Sequence, residues 1–542
     1  MPGNKRNTTK KKSAQRTNRL NTEFQQLSLS NVTEKTSEDD LLPHSNKYRI
    51  AYSDRYGRYL LAKRDLSAGE LLIVEKALVV APCASGEPVC LGCYKPVTLT
   101  TSQYRCPNCK WPLCNEQCVG IHQSYGHTAY ECELLQRENT GQRLHTITPA
   151  DKIKNLYELI AIVRILLMKL HDTDQYKRIQ LMESHVEMRK EQYSDLWQYY
   201  EENIVQELRE NWHLSNDFTA EEIHIVCGIL DVNCFEIGQN SAKARALYPG
   251  AFLLAHDCCP NTAHTDDPET YEISLRVSRN IKKNESITLS YAYTLQGTLK
   301  RRDFIQKSKL FWCCCQRCTD PYELGTDCSA LVCSFCQKGL LRSSNPLAQD
   351  AEWRCDKCDF IMNSQEVLKL LDKLNNVLDS IDVHDVQGLE NFMKRYAALL
   401  GSNHYLLLYV KYTLCQIYGR IEGYLISDMS FEDLKLKEKY CREFLQIADI
   451  LQPGLTKLRG LIMYELHAPI MMISQCLWRQ HLITRKEFNK RLREVTELLK
   501  KSSLILRMEP KGSNDYQMSL AAEEGLKQLE NNSNKETKNK MK

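Results

Sequence analysis

The chain has 542 residues, 42% of them hydrophobic and 26% charged, with a formal net charge of +4. That length accommodates two to four domains with cores of their own, and so small a charge excludes a strong overall field for polyanions. No apolar run is long enough to span a membrane, LLIVEKALVVAP at 71–82 being broken by Glu75 and Lys76.

Residues 1–46 carry Lys5, Arg6, Lys10, Lys11, Lys12, Arg16 and Arg19 before any acid, and few large apolar residues, which predicts a disordered basic tail. It reads as a nuclear-import or RNA-touching segment or, the favoured reading, as a solubilising tail. The same opening is polar where a secretory signal has its apolar run, so an intracellular protein is expected, in nucleus, cytoplasm or both. Over 47–89, β-prone runs alternate with turn signals at Tyr56–Gly57 and Ala68–Gly69 and predict short strands. A cysteine-rich insert occupies 90–132, and 133–232 is mainly helical, DKIKNLYELIAIVRILLMKLHD placing apolar residues at helical spacing. Strands return over 233–295 in EISLRVSRNIKKNESITLSY, which ends at Tyr291. Cysteines cluster again over 296–324 and 325–362. Residues 363–530 read as helices of 12 to 20 residues, such as EVLKLLDKLNNVLDSI, before a polar tail at 531–542. The helices resemble a tetratricopeptide-like array, although no 34-residue period is visible; the array is a protein-binding surface or a plain helical core.

The 24 cysteines are the anomaly, because in a reducing compartment so many thiols point to metal rather than disulfides. Isolated ones such as Cys83, Cys227, Cys415, Cys441 and Cys476 read as small buried apolar residues. The first set is Cys90, Cys93, Cys106, Cys109, Cys114, Cys118, His127 and Cys132, eight ligands that suit two tetrahedral zinc ions. The second is Cys313, Cys315 and Cys318 in FWCCCQRC, three thiolates that need a fourth ligand from elsewhere. The third, Cys333-x2-Cys336 followed eighteen residues later by Cys355-x2-Cys358, is a zinc-ribbon signature. Structural clamping is the favoured role for that ribbon over nucleic-acid binding.

The order of the first set resembles the MYND zinc finger, whose two metals interleave. The resemblance implies Cys90, Cys93, Cys114 and Cys118 on one ion and Cys106, Cys109, His127 and Cys132 on the other. Four residues separate His127 from Cys132 where the family has three, and His122 stands as an alternative ligand. The second set resembles the post-SET tail of SET-class lysine methyltransferases, which takes its fourth ligand from a motif similar to N-H-S-C-x-P-N. Here that motif is LLAHDCCPNT at 253–262, with Cys258 as the ligand and Cys259 and Cys314 as surplus neighbours. Together the segments resemble the SET and MYND domain-containing (SMYD) family. The ribbon and PGLTKLRGLIMYELHAP at 453–469 make the chain most similar to its arthropod SmydA branch. The resemblance implies an α+β protein: a split β-rich SET core, an inserted MYND finger, a post-SET zinc site, an extra ribbon, an α-helical C-terminal domain and four zinc ions.

The implied activity is methyl transfer from S-adenosylmethionine to a lysine ε-amine of a histone or another protein. Tyr291 corresponds to the family's catalytic tyrosine; Asn233, His256 and Phe311 correspond to residues lining the cofactor pocket. Two positions depart from the pattern. The family's G-x-G is Gly57-Arg58-Tyr59 here, and Ala255 stands where the motif has asparagine, with Asp257 in place of serine. A ring at Tyr59 is expected to crowd the cofactor, since tyrosine lacks glycine's backbone freedom. Loss of the amide at 255 removes a hydrogen bond worth about 0.5–1.5 kcal/mol. Two readings therefore stand: a working methyltransferase, or a SET scaffold recruiting partners through its MYND finger and helices. Family MYND fingers bind proline-containing peptides, which makes transcriptional corepressors the expected partners; a membrane or nucleic-acid role is not expected.

Overall fold

The computed structural model describes residues 41–540 except 54, 84–87, 100–102, 147–149 and 238–243, so most of the basic tail expected at 1–46 lies outside the described residues. Strands β1 (Tyr48–Ser53) and β2 (Gly57–Ala62) form an antiparallel hairpin in which Ala51 faces Tyr59. Its turn puts Gly57 at φ +60°, a left-handed conformation that residues with a side chain rarely adopt. β3 (Leu71–Glu75) and β4 (Val79–Pro82) follow, then, beyond a long insertion, β5 (Phe235–Ile237), β6 (Ala244–Leu247), β7 (Ala255–His256), β8 (Thr262–Asp266), β9 (Ile273–Val277) and β10 (Thr288–Leu289). The two halves close on each other: β3 pairs with β9 in the sheet β3-β9-β8, and β4 with β6 in β4-β6-β5. β7 and β10 pair in parallel, Ala255 opposite Thr288 and His256 opposite Leu289.

The insertion carries the first cysteine-rich segment and then helices. Helix Ala150–His171 packs between β4 and helix Ala220–Asn233, which is why its stretch around Ile160–Leu166 is apolar on nearly every face. The cysteine segment shares this core. Trp111 is fully buried, donates its indole N–H to Thr140 Oγ1 at 2.7 Å and meets Tyr157 edge-on at 5.1 Å.

The ribbon strands β11 (Leu331–Val332), β12 (Leu340–Ser343), β13 (Trp353–Cys355) and β14 (Ile361–Met362) form one antiparallel sheet in chain order. Seven helices among the described residues follow, from Ser364–Asp379 to Asn514–Lys540, successive ones packing on each other from Val386–Tyr396 onward. Leu331, Leu341 and Trp353 join Val367, Leu374 and Phe392 in one core, so the ribbon caps the helical domain rather than standing apart. Inside that domain Lys437 is buried and donates to Glu465 at 2.7 Å, Cys415 O at 3.0 Å and Tyr418 O at 2.5 Å. The last helix continues through 531–540, read from the sequence as a polar tail; of that tail only 541–542 lie outside the described residues.

The helical domain is tied to the split core by the PGL turn at 453–455. Leu455 donates to Ser278 O at 2.7 Å, and Gln452 Nε2 to Thr294 Oγ1 at 2.6 Å. Gly454 has φ +89°, and a Cβ there would lie 1.9 Å from Ser278 O, so only glycine fits. No helix among the described residues is long and apolar enough to cross a membrane.

Candidate functional site

Four clusters gather their donor atoms within 4.8 Å: Cys90, Cys93, Cys114 and Cys118; Cys106, Cys109, His127 and Cys132; Cys258, Cys313, Cys315 and Cys318; Cys333, Cys336, Cys355 and Cys358. Thiolates around a tetrahedral zinc at a Zn–S length of about 2.3 Å stand about 3.8 Å apart. Disulfide sulfurs stand about 2.05 Å apart. The sulfur pairs here measure 3.6 Å for Cys90–Cys118, 3.6 Å for Cys93–Cys114, 3.5 Å for Cys106–Cys132, 3.9 Å for Cys258–Cys313, 3.7 Å for Cys333–Cys358 and 3.7 Å for Cys336–Cys355. The donor sets therefore fit zinc. In the second cluster His127 is buried with Nε2 3.4 Å from Cys109 Sγ, while His122 is exposed and outside the group.

His127 has a partner that sequence spacing did not single out. Its Nδ1 lies 2.7 Å from Glu131 Oε1 in the first turn of helix Ala129–Arg137, the arrangement that fixes a ligating imidazole's tautomer and angle. Glu131 has no exposed surface and also accepts from Arg164, which donates further to Val80 O, Leu91 O and the Tyr94 hydroxyl. Burial works against ionisation of Glu131, but Arg164 and His127 outweigh it and hold the carboxyl below its usual range. The only sequence signal for this residue is an acid four positions after a histidine.

Segment 253–262 supplies the third cluster with Cys258 and is pinned from behind by Asn261. That side chain accepts from Thr288 N–H at 2.8 Å and donates to Ser286 O at 2.7 Å. Arg301, also missed in the sequence, donates from Nε to Cys258 Sγ at 3.4 Å and from Nη2 to Cys318 Sγ at 3.7 Å. Glu323 balances it and Arg317 at 3.4 and 3.0 Å, all three side chains being buried. Arg302 ties the cluster to the ribbon, donating to Cys313 O at 2.9 Å and to Pro346 O and Leu347 O at 3.1 and 2.7 Å.

Beside this cluster lies a cavity of about 1050 Å³ whose walls include Gly57, Arg58, Asn233, Ala255, His256, Tyr291 and Phe311. Tyr291 stands just past β10; its N–H donates to His256 Nδ1 at 2.9 Å and its hydroxyl donates to Leu254 O. The His256 Nε2 faces Cys258 Sγ at 3.3 Å, so ring and cluster are held as one unit. Asn233, at the end of helix Ala220–Asn233, spends its amide N–H groups on Glu183 O and Ile229 O, both at 2.8 Å. Arg58 reaches Leu181 O at 2.8 Å. Phe311 stands at the mouth, 38% exposed, 6.2 Å from the His256 ring.

Tyr59 departs from expectation. It is 1% exposed and does not line the cavity; its ring packs with Ala51, Leu61 and Ala255 in a small core, 5.4 Å from the Tyr56 ring. The ladder sets it opposite Ala51, and the short side chain at 255 leaves room for the ring. The two departures from the family motif thus meet each other, and the ring does not crowd the space expected for cofactor. Size and an aromatic, partly apolar wall make that space fit a nucleoside-bearing ligand.

Residues 57–292 match the family model of the SET domain. The chain is 28% identical over 465 residues to the SET domain-containing protein SmydA-8, isoform B, of Drosophila melanogaster, covering 81% of this chain and 96% of that one. It is 24% identical over 441 residues to the histone-lysine N-methyltransferase ASHR1 of Arabidopsis thaliana, covering 75% and 83%. Against the N-lysine methyltransferase SMYD2 of Gallus gallus the identity is 24% over 273 residues, covering 48% and 58%.

Proposed function

We propose that this chain, a SET-domain protein of the SMYD and SmydA kind, is an S-adenosylmethionine-dependent protein-lysine methyltransferase. The observation that carries the reading is Tyr291, set on the wall of the cavity by the paired strands β7 and β10 and braced through His256 against the third cysteine cluster. When bound, the cofactor supplies an electrophilic methyl group, and the protein's work is positioning and desolvation. Asn233, Arg58, His256 and Phe311 would hold it.

The acceptor amine must reach the cavity neutral, which the apolar side chains of Leu254, Leu310 and Phe311 favour by penalising the ammonium. Tyr291 does not take that proton. Burial pushes its hydroxyl well above the usual phenol range, so it stays protonated, donates to Leu254 O and presents an oxygen lone pair to an incoming amine. It orients the acceptor rather than acting as base. The four cysteine clusters would each hold one zinc ion: two stiffen the insertion, the third fixes segment 253–262 against the tail, and the fourth clamps the ribbon. Substrates in this reading are lysines of histones or other proteins, with proline-containing partners recruited by the first cysteine-rich segment.

A second reading, a scaffold without catalysis, is favoured by one observation: Ala255 offers the cavity no side-chain amide. Calorimetric titration of S-adenosylmethionine into the zinc-loaded full chain separates the two, beside the Tyr59→Gly/Ala255→Asn double variant. Micromolar binding by the unmodified chain and transfer of labelled methyl to histones support the enzyme. Absence of binding that the double variant restores supports the scaffold.

A further inference from the structure

Lys309 is the last residue of helix Thr298–Lys309, and Leu310 after it turns left-handed at φ 58°, which directs the lysine and Phe311 to the same cavity. Its ammonium donates to Val232 O at 2.8 Å and reaches Asp231 O at 3.5 Å, at the C-terminal end of helix Ala220–Asn233, and lies 5.7 Å from the centroid of the Tyr291 ring. No carboxylate stands within ion-pair distance of it among the described residues. The Asp231 carboxylate is taken by Arg189 at 3.1 Å and by the Tyr200 hydroxyl at 2.8 Å. Glu183, the only acid among the described residues lining the cavity, is exposed at the rim beside His185. Burial lowers the Lys309 pKa from the usual lysine range, against the opposing pull of Cys234 and Asp231, while its ammonium is held by carbonyls at a helix C-terminus, which favour a cation. The Lys309 amino group, held by two carbonyls, thus stands in the wall next to the residue on which methyl transfer would centre.

We propose that Lys309 sets the charge selectivity of this cavity, disfavouring a sulfonium cofactor relative to the neutral thioether that remains after methyl transfer. The inference rests on the cofactor reading above. A sulfonium presented to Tyr291 shares the cavity with the Lys309 ammonium, whereas the thioether product carries no charge at sulfur and meets no such repulsion. The protein would then hold its product more tightly than its donor.

The test is calorimetric titration of S-adenosylmethionine and of S-adenosylhomocysteine into the zinc-loaded full chain and into Lys309→Met and Lys309→Arg. The unmodified chain is expected to bind the thioether more tightly. Lys309→Met should move the ratio of the two dissociation constants toward the sulfonium by roughly tenfold or more, the size expected when two unit charges share one cavity at an effective dielectric of about 20. Lys309→Arg should leave the ratio where it was. Equal or reversed preference in the unmodified chain overturns the inference, whatever the variants do. Binding of both ligands at a ratio that Lys309→Met does not move also overturns it, while leaving the cofactor reading intact. Failure of every form to bind either ligand overturns the cofactor reading and this inference together.

Discussion

Replacing Glu131 with alanine removes a group outside the Cys106, Cys109, His127 and Cys132 donor set, yet should weaken zinc binding at that cluster. The carboxylate holds the ring of His127 at 2.7 Å and bears two donations from Arg164. Without it the imidazole is free to rotate, and loss of such an outer partner typically weakens metal affinity by about 10- to 100-fold. Arg164 would keep its bonds to Val80 O, Leu91 O and Tyr94 but lose its counter-charge in a site with almost no water access. Removing one partner of a buried pair costs about 3–5 kcal/mol. The two effects share a site and are expected to appear together: a chromophoric chelator should draw one ion from Glu131→Ala ahead of the others, and thermal unfolding should begin earlier. Glu131→Gln, which keeps a hydrogen-bond acceptor but no charge, should fall between. Glu131→Ala with the chelator resistance and melting profile of the parent protein would refute the reasoning.

Tyr291→Phe should retain metal content and cofactor affinity within a few-fold but, by leaving the acceptor amine unoriented, lower the methyl-transfer rate by about 10²-fold, as single-turnover assays on a histone substrate would show. Glu465→Ala should destabilise the helical domain by about 3–5 kcal/mol in urea unfolding, because Lys437 is left as a buried cation with only carbonyl partners. Glu75 predicts a pH effect: burial raises its carboxyl to about 7 against the donated N–H groups of Ala251 and Gly250. A folded pKa above the unfolded one means the native state holds more protons between about pH 4.5 and 7. Its contribution is therefore complete below that window and lost as pH rises through 7. Glu75→Gln should accordingly gain up to about 3 kcal/mol relative to the parent between pH 5 and pH 8, and equal slopes for the two proteins would count against burial as the cause. Cys258→Ser should lose one zinc and, through His256, loosen Tyr291, which fluorescence of bound cofactor analogues can follow.

Metal ligation was the most legible part of the chain, because two thiolates on one ion must stand a few residues apart and that spacing survives in the letters. The helices after 363 were legible for a similar reason, their apolar residues recurring at helical intervals. What could not be read were groups brought in from a distance. Arg164 lies 33 residues from Glu131, and Arg301 lies 43 from Cys258, so nothing local marks either. The union of ribbon and helices in one core was hidden likewise, since Trp353 and Leu341 read equally well as the interior of a separate module. Tyr59 was misplaced because its direction depends on the strand opposite and on the size of residue 255, and neither is a property of the Gly57-Arg58-Tyr59 motif itself.

The contact between Tyr59 and Ala255 also carries a constraint on how this sequence can change. Between them the two positions hold a fixed amount of matter: one side chain is large where its partner is a single methyl. Reverting Tyr59 alone empties a ring-sized void between Ala51, Leu61 and Ala255, at about 3–5 kcal/mol, and enlarging residue 255 alone crowds that ring, at about 1–3 kcal/mol. A descendant recovering the glycine and the asparagine would have to pass through one of those intermediates. The present pair is thus a local minimum with a barrier on both sides, and relatives carrying a bulky residue at the first position are expected to carry a small one at the second.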